Sequence, residues 1–248
     1  MRADGTVAML APMPLELRAV VRVGRLRRDG ELAGRIAHRG VVGGVPVVAA
    51  AGGRGPTRSG RVTADVLAGG DVSHVLVVGV AGAVGAHHPL GAAFHPEEVA
   101  DARTGAPYRP HALGADRPTP RSGTLLTGDD FITDPDHLDA LARDGVTALD
   151  METAAVAAVC EGAGVPWSVA RAISDVAGDE AVVATMEHGL ARPDGTPDVA
   201  AAVRFLARAP WRVGSLTRPA RQAQAAARSA ARGALLILSK ISLNLADS

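Results

Sequence analysis

Aromatic residues are almost absent from this sequence: Phe, Tyr and Trp together make up 2% of its 248 residues. A core has to be filled instead by Ala, Val and Leu, within a hydrophobic share of 47%. Cysteine occurs once, at Cys160, which excludes a disulfide framework and fits a reducing, cytoplasmic compartment. Inside an Ala/Val-rich run, that cysteine reads as a small core residue. The formal net charge is zero, so no global field favours nucleic acid. No stretch approaches the roughly 20 apolar residues of a membrane-spanning helix. The first apolar run, Thr6 to Pro12, is too short for a signal peptide and has no cleavage-site pattern. No Gly-x-Gly-x-x-Gly follows the first strand, which argues against a dinucleotide enzyme. The adjacent His87 and His88 would point apart on their loop, and no further ligand stands at metal spacing. Neither a metal nor a cofactor is expected.

What is present is an alternation of strand and helix signals. Val7 to Ala11 reads as a buried strand, followed by a turn and a helix starting near Pro14. Arg35 to Ala51 reads as a hairpin turning at Gly43-Gly44. A glycine-rich turn, Gly52 to Gly60, then leads into a helix through Leu67. His74 to Val80 is the strongest strand signal, a continuous apolar run of the kind buried on both faces. Gly105 to Gly123 reads as an irregular surface loop, and Gly123 to Thr127 as another strand. The predicted fold is α/β: a single-domain three-layer α/β/α sandwich around a mixed, largely parallel central sheet. No internal repeat occurs.

The chain is organised around residues 148–179, ALDMETAAVAAVCEGAGVPWSVARAISDVAGD. A helix is entered around Glu152 and stopped by Gly162 and Gly164-Val165-Pro166. Trp167 to Ile173 follows as a strand, with Ser174-Asp175 where it ends. Ligands of open α/β sheets bind beyond the carboxyl ends of strands. Glu152 and Asp175 are thus candidates for one pocket.

LDMETAA followed by VARAISDVA resembles the paired signature of the methylthioadenosine/S-adenosylhomocysteine nucleosidases, within the purine nucleoside phosphorylase superfamily. The resemblance implies that Glu152, next to Met151, grips the ribose hydroxyls and that Asp175, beside Ser174, protonates the departing purine. Aligning Met13 with the Met of the family's AMEEEV-type segment puts Glu16 on the position that activates the attacking water, together with Arg171. Without the resemblance, Glu16 reads as a solvated helix-start glutamate. The family's Gly-Ser-Ala-Gly-Gly segment matches Gly79-Val80-Ala81-Gly82-Ala83, where Val80 replaces the serine, and Val80, Ala81 and Gly82 would line the sugar. Its Ser-Gly-Asp-x-Phe segment is similar to Thr127-Gly128-Asp129-Asp130-Phe131. This implies that Phe131 stacks on the base, with core packing as the plain alternative. Arg54 and Arg58, in the glycine-rich turn, either bind phosphate or face water.

Breaking a nucleoside's glycosidic bond requires an acid for the base, anionic surroundings for the sugar cation and a nucleophile beneath it. The expected function is therefore hydrolytic release of adenine from a small adenosyl nucleoside, with water as nucleophile. Phosphorolysis is the alternative, and an inactive nucleoside-binding module is a second one. The resemblance spans about residues 7–180. Beyond it, residues 185–232 are similar to the tail of the hopanoid-associated branch, which implies a lipid-linked substrate, adenosylhopane. The domain division expected is 1–184 for the catalytic domain and 185–248 for a helical extension packed on it. The last stretch, ALLILSKISLNLADS, packs on that domain, stays mobile, or is buried against a partner or lipid surface. A homodimer is implied by the resemblance alone.

Overall fold

The computed structural model describes residues 5–85, 88–111, 123–179 and 213–246. Its spine is a run of parallel strands, β4 (Val45–Ala51), β1 (Thr6–Ala11), β5 (Val72–Ala83) and β11 (Trp167–Val176), hydrogen-bonded in that order. β3 (Arg35–Val42) and β2 (Arg27–Leu32) extend this run antiparallel at one edge. Past Leu10, β1 no longer pairs with β5, and β10 (Val146–Asp150) pairs antiparallel with β5 through Gly82 and Ala83. β9 (Thr124–Thr127), β7 (Glu98–Asp101) and β8 (Pro107–Tyr108) follow β10 outward, while β6 (Ala93–Phe94) pairs with β11. Among the described residues the result is one mixed, 11-stranded sheet.

Strict alternation builds two cores on it. In β1, Ala8 and Leu10 face one layer and Val7 and Met9 the other. In β5, Val75 and Val77 alternate with Leu76 and Val78 in the same way. The first layer holds α2 (Pro56–Ala68) and α4 (Thr153–Gly162), and the second α1 (Pro14–Gly24) and α5 (Val213–Ala246); α3 (Pro135–Arg143) packs beside β10. Sheet and covering helices form the expected α/β/α sandwich. With few aromatics, helices approach the sheet through alanine: α5 buries Ala226, Ala227, Ala230, Ala231 and Ala234, then Leu238 and Ile241. That 3–4 spacing keeps one face of α5 inward. Leu236 stays exposed on the other face.

Several sequence expectations need correction. α2 begins at Pro56, where proline suits a first turn, rather than after Gly60. β5 does not end at Val80 but runs to Ala83, because Gly79 to Ala83 are held by β11 and β10 on its two sides. β2, polar and exposed, has no apolar signal and was not anticipated. Pro107–Tyr108 forms a short strand within the segment expected to be irregular. His87, residues 112–122 of that segment and residues 185–212 of the C-terminal extension lie outside the described residues. No described helix is long and apolar enough to cross a membrane.

Candidate active site

Three parallel strands deliver the site at their carboxyl ends, and β10, running the other way beside only the end of β5, arrives at the same place. After β1, Met13 stays extended and Pro14 opens α1, so Glu16 is its third residue. The Glu16 carboxylate accepts the Met13 N–H at 2.7 Å, half of a capping box. Its other oxygen accepts the Val80 N–H of β5 at 2.8 Å. Glu16 is 2% exposed, which removes the solvated helix-start reading. Burial pushes its carboxyl up to about 7; Glu152 adds to the shift, while Arg171 and the two N–H groups oppose it.

Arg171, on β11, is completely buried among these acids. Its Nη2 lies against the Asp150 carboxylate and donates to Thr153 Oγ1 at 2.9 Å. Glu152 Oε2 lies 3.5 Å from Nη2, and Glu16 Oε1 lies 3.9 Å from Nη1, which also donates to the Val80 carbonyl at 3.3 Å. Burial disfavours the cation, but Asp150, Glu152 and Glu16 together outweigh it and hold Arg171 protonated. Glu152 stands at the N-cap position of α4 without capping it through its side chain, which turns toward the glycine-rich turn, where Gly55 N–H donates to its Oε1 at 2.8 Å. Burial raises its pKa as well, opposed by Arg171.

Asp175 sits one step along the same strand end. The register between β11 and β5 slips at Ser174, so that Ile173 pairs with Ala81 and Asp175 with Gly82. This bulge turns the Asp175 side chain over Gly82, where a Cβ would stand 3.2 Å from Oδ2. Ser174 Oγ donates to Asp175 Oδ1 and reaches the Ala81 carbonyl at 3.4 Å. Burial raises the Asp175 pKa, against the Ser174 hydrogen bond, as an acid for a leaving base requires.

Of the residues named from sequence, the structure thus gathers Glu16, Val80, Ala81, Gly82, Glu152, Arg171, Ser174 and Asp175 around the end of β5. Met151 lies at the rim, its sulfur 3.9 Å from the Arg54 guanidinium. Arg58 is exposed, its side chain lying over Gly53, whose φ of 86° and lack of a Cβ make room for it. Phe131 is 40% exposed on the loop after β9 and belongs to neither core, so core packing is not its role.

Sequence reading missed the supports beneath these groups. Asp150 accepts from Thr127 Oγ1 at 2.6 Å, from Thr153 N–H at 3.1 Å and from the Thr153 hydroxyl. Gly79 is the second omission: a Cβ there would fall 2.5 Å from Glu16 Oε1 and closer still to Arg171 Nη1. A glycine inside an apolar strand was the available signal. Among the described residues no group of His, Cys, Asp and Glu is arranged to hold a metal ion. A cleft of about 350 Å³ lies at the other end of β11, lined by Arg109, His111, Glu161 and Trp167. It contains none of the clustered acids.

The profile of a family described as the phosphorylase superfamily matches residues 6–120 and 109–204. The chain is similar to the 5'-methylthioadenosine/S-adenosylhomocysteine nucleosidase of Tolumonas auensis, 44% identical over 62 residues, 24% of this chain and 27% of that protein. It is equally similar to the same enzyme of Bacillus pumilus, 44% identical over 75 residues, 29% of this chain and 32% of that protein. The alignments therefore span about a third or less of the curated relatives' length. Among solved structures, a Helicobacter pylori nucleosidase mutant with 5'-methylthioadenosine in its active site superimposes with a TM-score of 0.71 at 18% identity, over 94% of this chain and 98% of that one. Helicobacter pylori futalosine hydrolase gives 0.72 at 17% identity, over 98% and 100%. At these identities the likeness is one of fold.

Proposed function

The chain belongs to the phosphorylase superfamily, and from that premise we propose that it hydrolyses the N-glycosidic bond of an adenosyl nucleoside, releasing adenine. The observation that carries this reading is that Glu16 and Glu152, far apart in sequence, meet around Arg171, while Asp175 stands over Gly82 further along the same end of β5. Glu16, with a pKa near 7, takes a proton from a water positioned with Arg171. Glu152 accepts the ribose hydroxyls and, with Glu16, offsets the positive charge that develops on the sugar. Asp175, whose pKa burial raises, gives its proton to the purine as the bond breaks. Ser174 orients that acid, Met151 borders the sugar, and Phe131 closes over the base by stacking.

The test is adenine release from 5'-methylthioadenosine and S-adenosylhomocysteine, with and without phosphate. Release from neither of these nor from adenosylhopane, under either condition, removes the reading and favours a nucleoside-binding module. A second reading, phosphorolysis, is favoured by Arg54, whose guanidinium stands at the rim beside Met151, with Arg58 nearby on the same turn. Release that requires phosphate selects it. Finer proposals follow the same reading: adenosylhopane as a lipid-linked substrate, a homodimer and a cytoplasmic location. They are checked by adenine release from adenosylhopane, by sedimentation and by cell fractionation.

A further inference from the structure

Asp150 is a buried carboxylate with no role in the reaction as proposed. It ends β10, opposite Thr127 of β9, and its side chain is 1% exposed. It is surrounded by donors: the Thr127 and Thr153 hydroxyls, the Thr153 N–H and Arg171 Nη2. Thr127 is itself fixed from the other side by the Ala154 N–H at 3.0 Å. The Arg171 cation therefore has one anchored partner and two looser ones. Asp150 holds it in direct contact, whereas Glu152 stands 3.5 Å and Glu16 3.9 Å away, beyond good hydrogen-bonding distance. Among the described residues, Nε of Arg171 is buried without a hydrogen-bond partner, a cost accepted to keep the guanidinium turned toward Asp150.

We propose that Asp150 is a positioning residue that acts through Arg171. It tethers the guanidinium so that it does not close onto Glu16 or Glu152, leaving Glu16 oxygens for the nucleophile and Glu152 oxygens for the sugar. A charged arginine at hydrogen-bonding distance would make a tight, bidentate pair with either glutamate and weaken it as a base. The groups facing Glu16 are Arg171 of β11, Glu152 at the start of α4, and the N–H groups of Val80 and Met13. Asp150 reaches Glu16 only through the arginine, and it bears on Glu152 directly. Removing its charge therefore lowers the pKa of both glutamates, by releasing the cation to them.

This inference rests on the hydrolytic reading. In the whole protein, the acid limb of kcat/KM against pH for adenine release should fall near 7 and reflect Glu16. Asp150→Asn keeps the shape but loses the charge, and should move that limb down by about one pH unit while lowering kcat ~10–100-fold with a smaller change in KM. Asp150→Glu restores the charge and should return the limb only part of the way toward its original position. A wild-type limb at the ordinary glutamate pH, an Asn variant with an unmoved limb, or two variants equally impaired with unchanged profiles would each overturn the assignment. Where the Asn variant does not fold, Asp150→Glu decides: a limb and kcat unmoved from wild type despite the longer side chain's displaced carboxylate would overturn the tether, and a shifted limb would support it. No adenine release by the wild-type protein at any pH removes the hydrolytic reading and this role with it.

Discussion

Gly79→Ala adds one methyl group where the site has no space for it. The backbone at Gly79 is ordinary strand, so alanine is conformationally free there and the effect is purely steric. Its Cβ would stand 2.5 Å from Glu16 Oε1 and 3.0 Å from Glu16 Cδ, and closer still to Arg171 Nη1. Ordinary contact begins near 3.4 Å, so the glutamate must retreat by about 1 Å and the guanidinium by more. Neither can swing into solvent: Arg171 is 0% and Glu16 2% exposed. Glu16 also loses its acceptor geometry toward the Val80 N–H. Overpacking of this kind costs about 1–3 kcal/mol, or roughly 2–4 °C of Tm per kcal/mol at this chain length. A 1 Å displacement of a reacting group costs on the order of 10²-fold in rate. The expected result is a modest fall in Tm by calorimetry with kcat for adenine release down about 100-fold. Gly60→Ala is the internal control, since its Cβ meets Ala155 and Val159 only at 3.7 Å or more, away from the acids. A Gly79→Ala enzyme with wild-type kcat would refute the close packing of Glu16 and Arg171 on which the argument depends.

Asp175→Asn should lower kcat by ~10²–10⁴-fold with circular dichroism unchanged, because it removes the proton donor and little volume. Near-normal turnover would show that another group protonates the base. Burial raises the Glu16 carboxyl from 4.5 to about 7, so between those pH values the folded protein keeps a proton that the unfolded chain has released. Stability from this group is complete below about pH 4.5 and declines toward pH 7, by on the order of 3 kcal/mol. Glu16→Gln should therefore raise Tm at pH 8 relative to wild type but not at pH 4.5, while abolishing most activity. A Tm difference independent of pH would contradict the raised pKa. Glu152→Gln should reduce the preference for ribosyl over 2'-deoxyribosyl substrates in kcat/KM, and an unchanged preference would place the sugar hydroxyls elsewhere.

The apolar runs at Val7 to Ala11 and His74 to Val80 determined buried strands, because no other element hides so many consecutive Val and Leu residues on both sides. Pro14 and the Gly162–Pro166 stretch determined where helices begin and end, since proline and glycine act on the backbone locally. The DME and SDV segments marked Glu152 and Asp175 as candidates. Sequence could not show that β5 continues through Gly79 to Ala83, because its final residues are strand only by virtue of pairing with β10 and β11. Nor could it give the bulge at Ser174 that aims Asp175, the closeness that requires glycine at position 79, or the choice of Asp150 as the anchor of Arg171. Each of these depends on groups brought together from distant parts of the chain. Local preference acts over a few residues, whereas the charge and space around a buried arginine are set by everything folded against it.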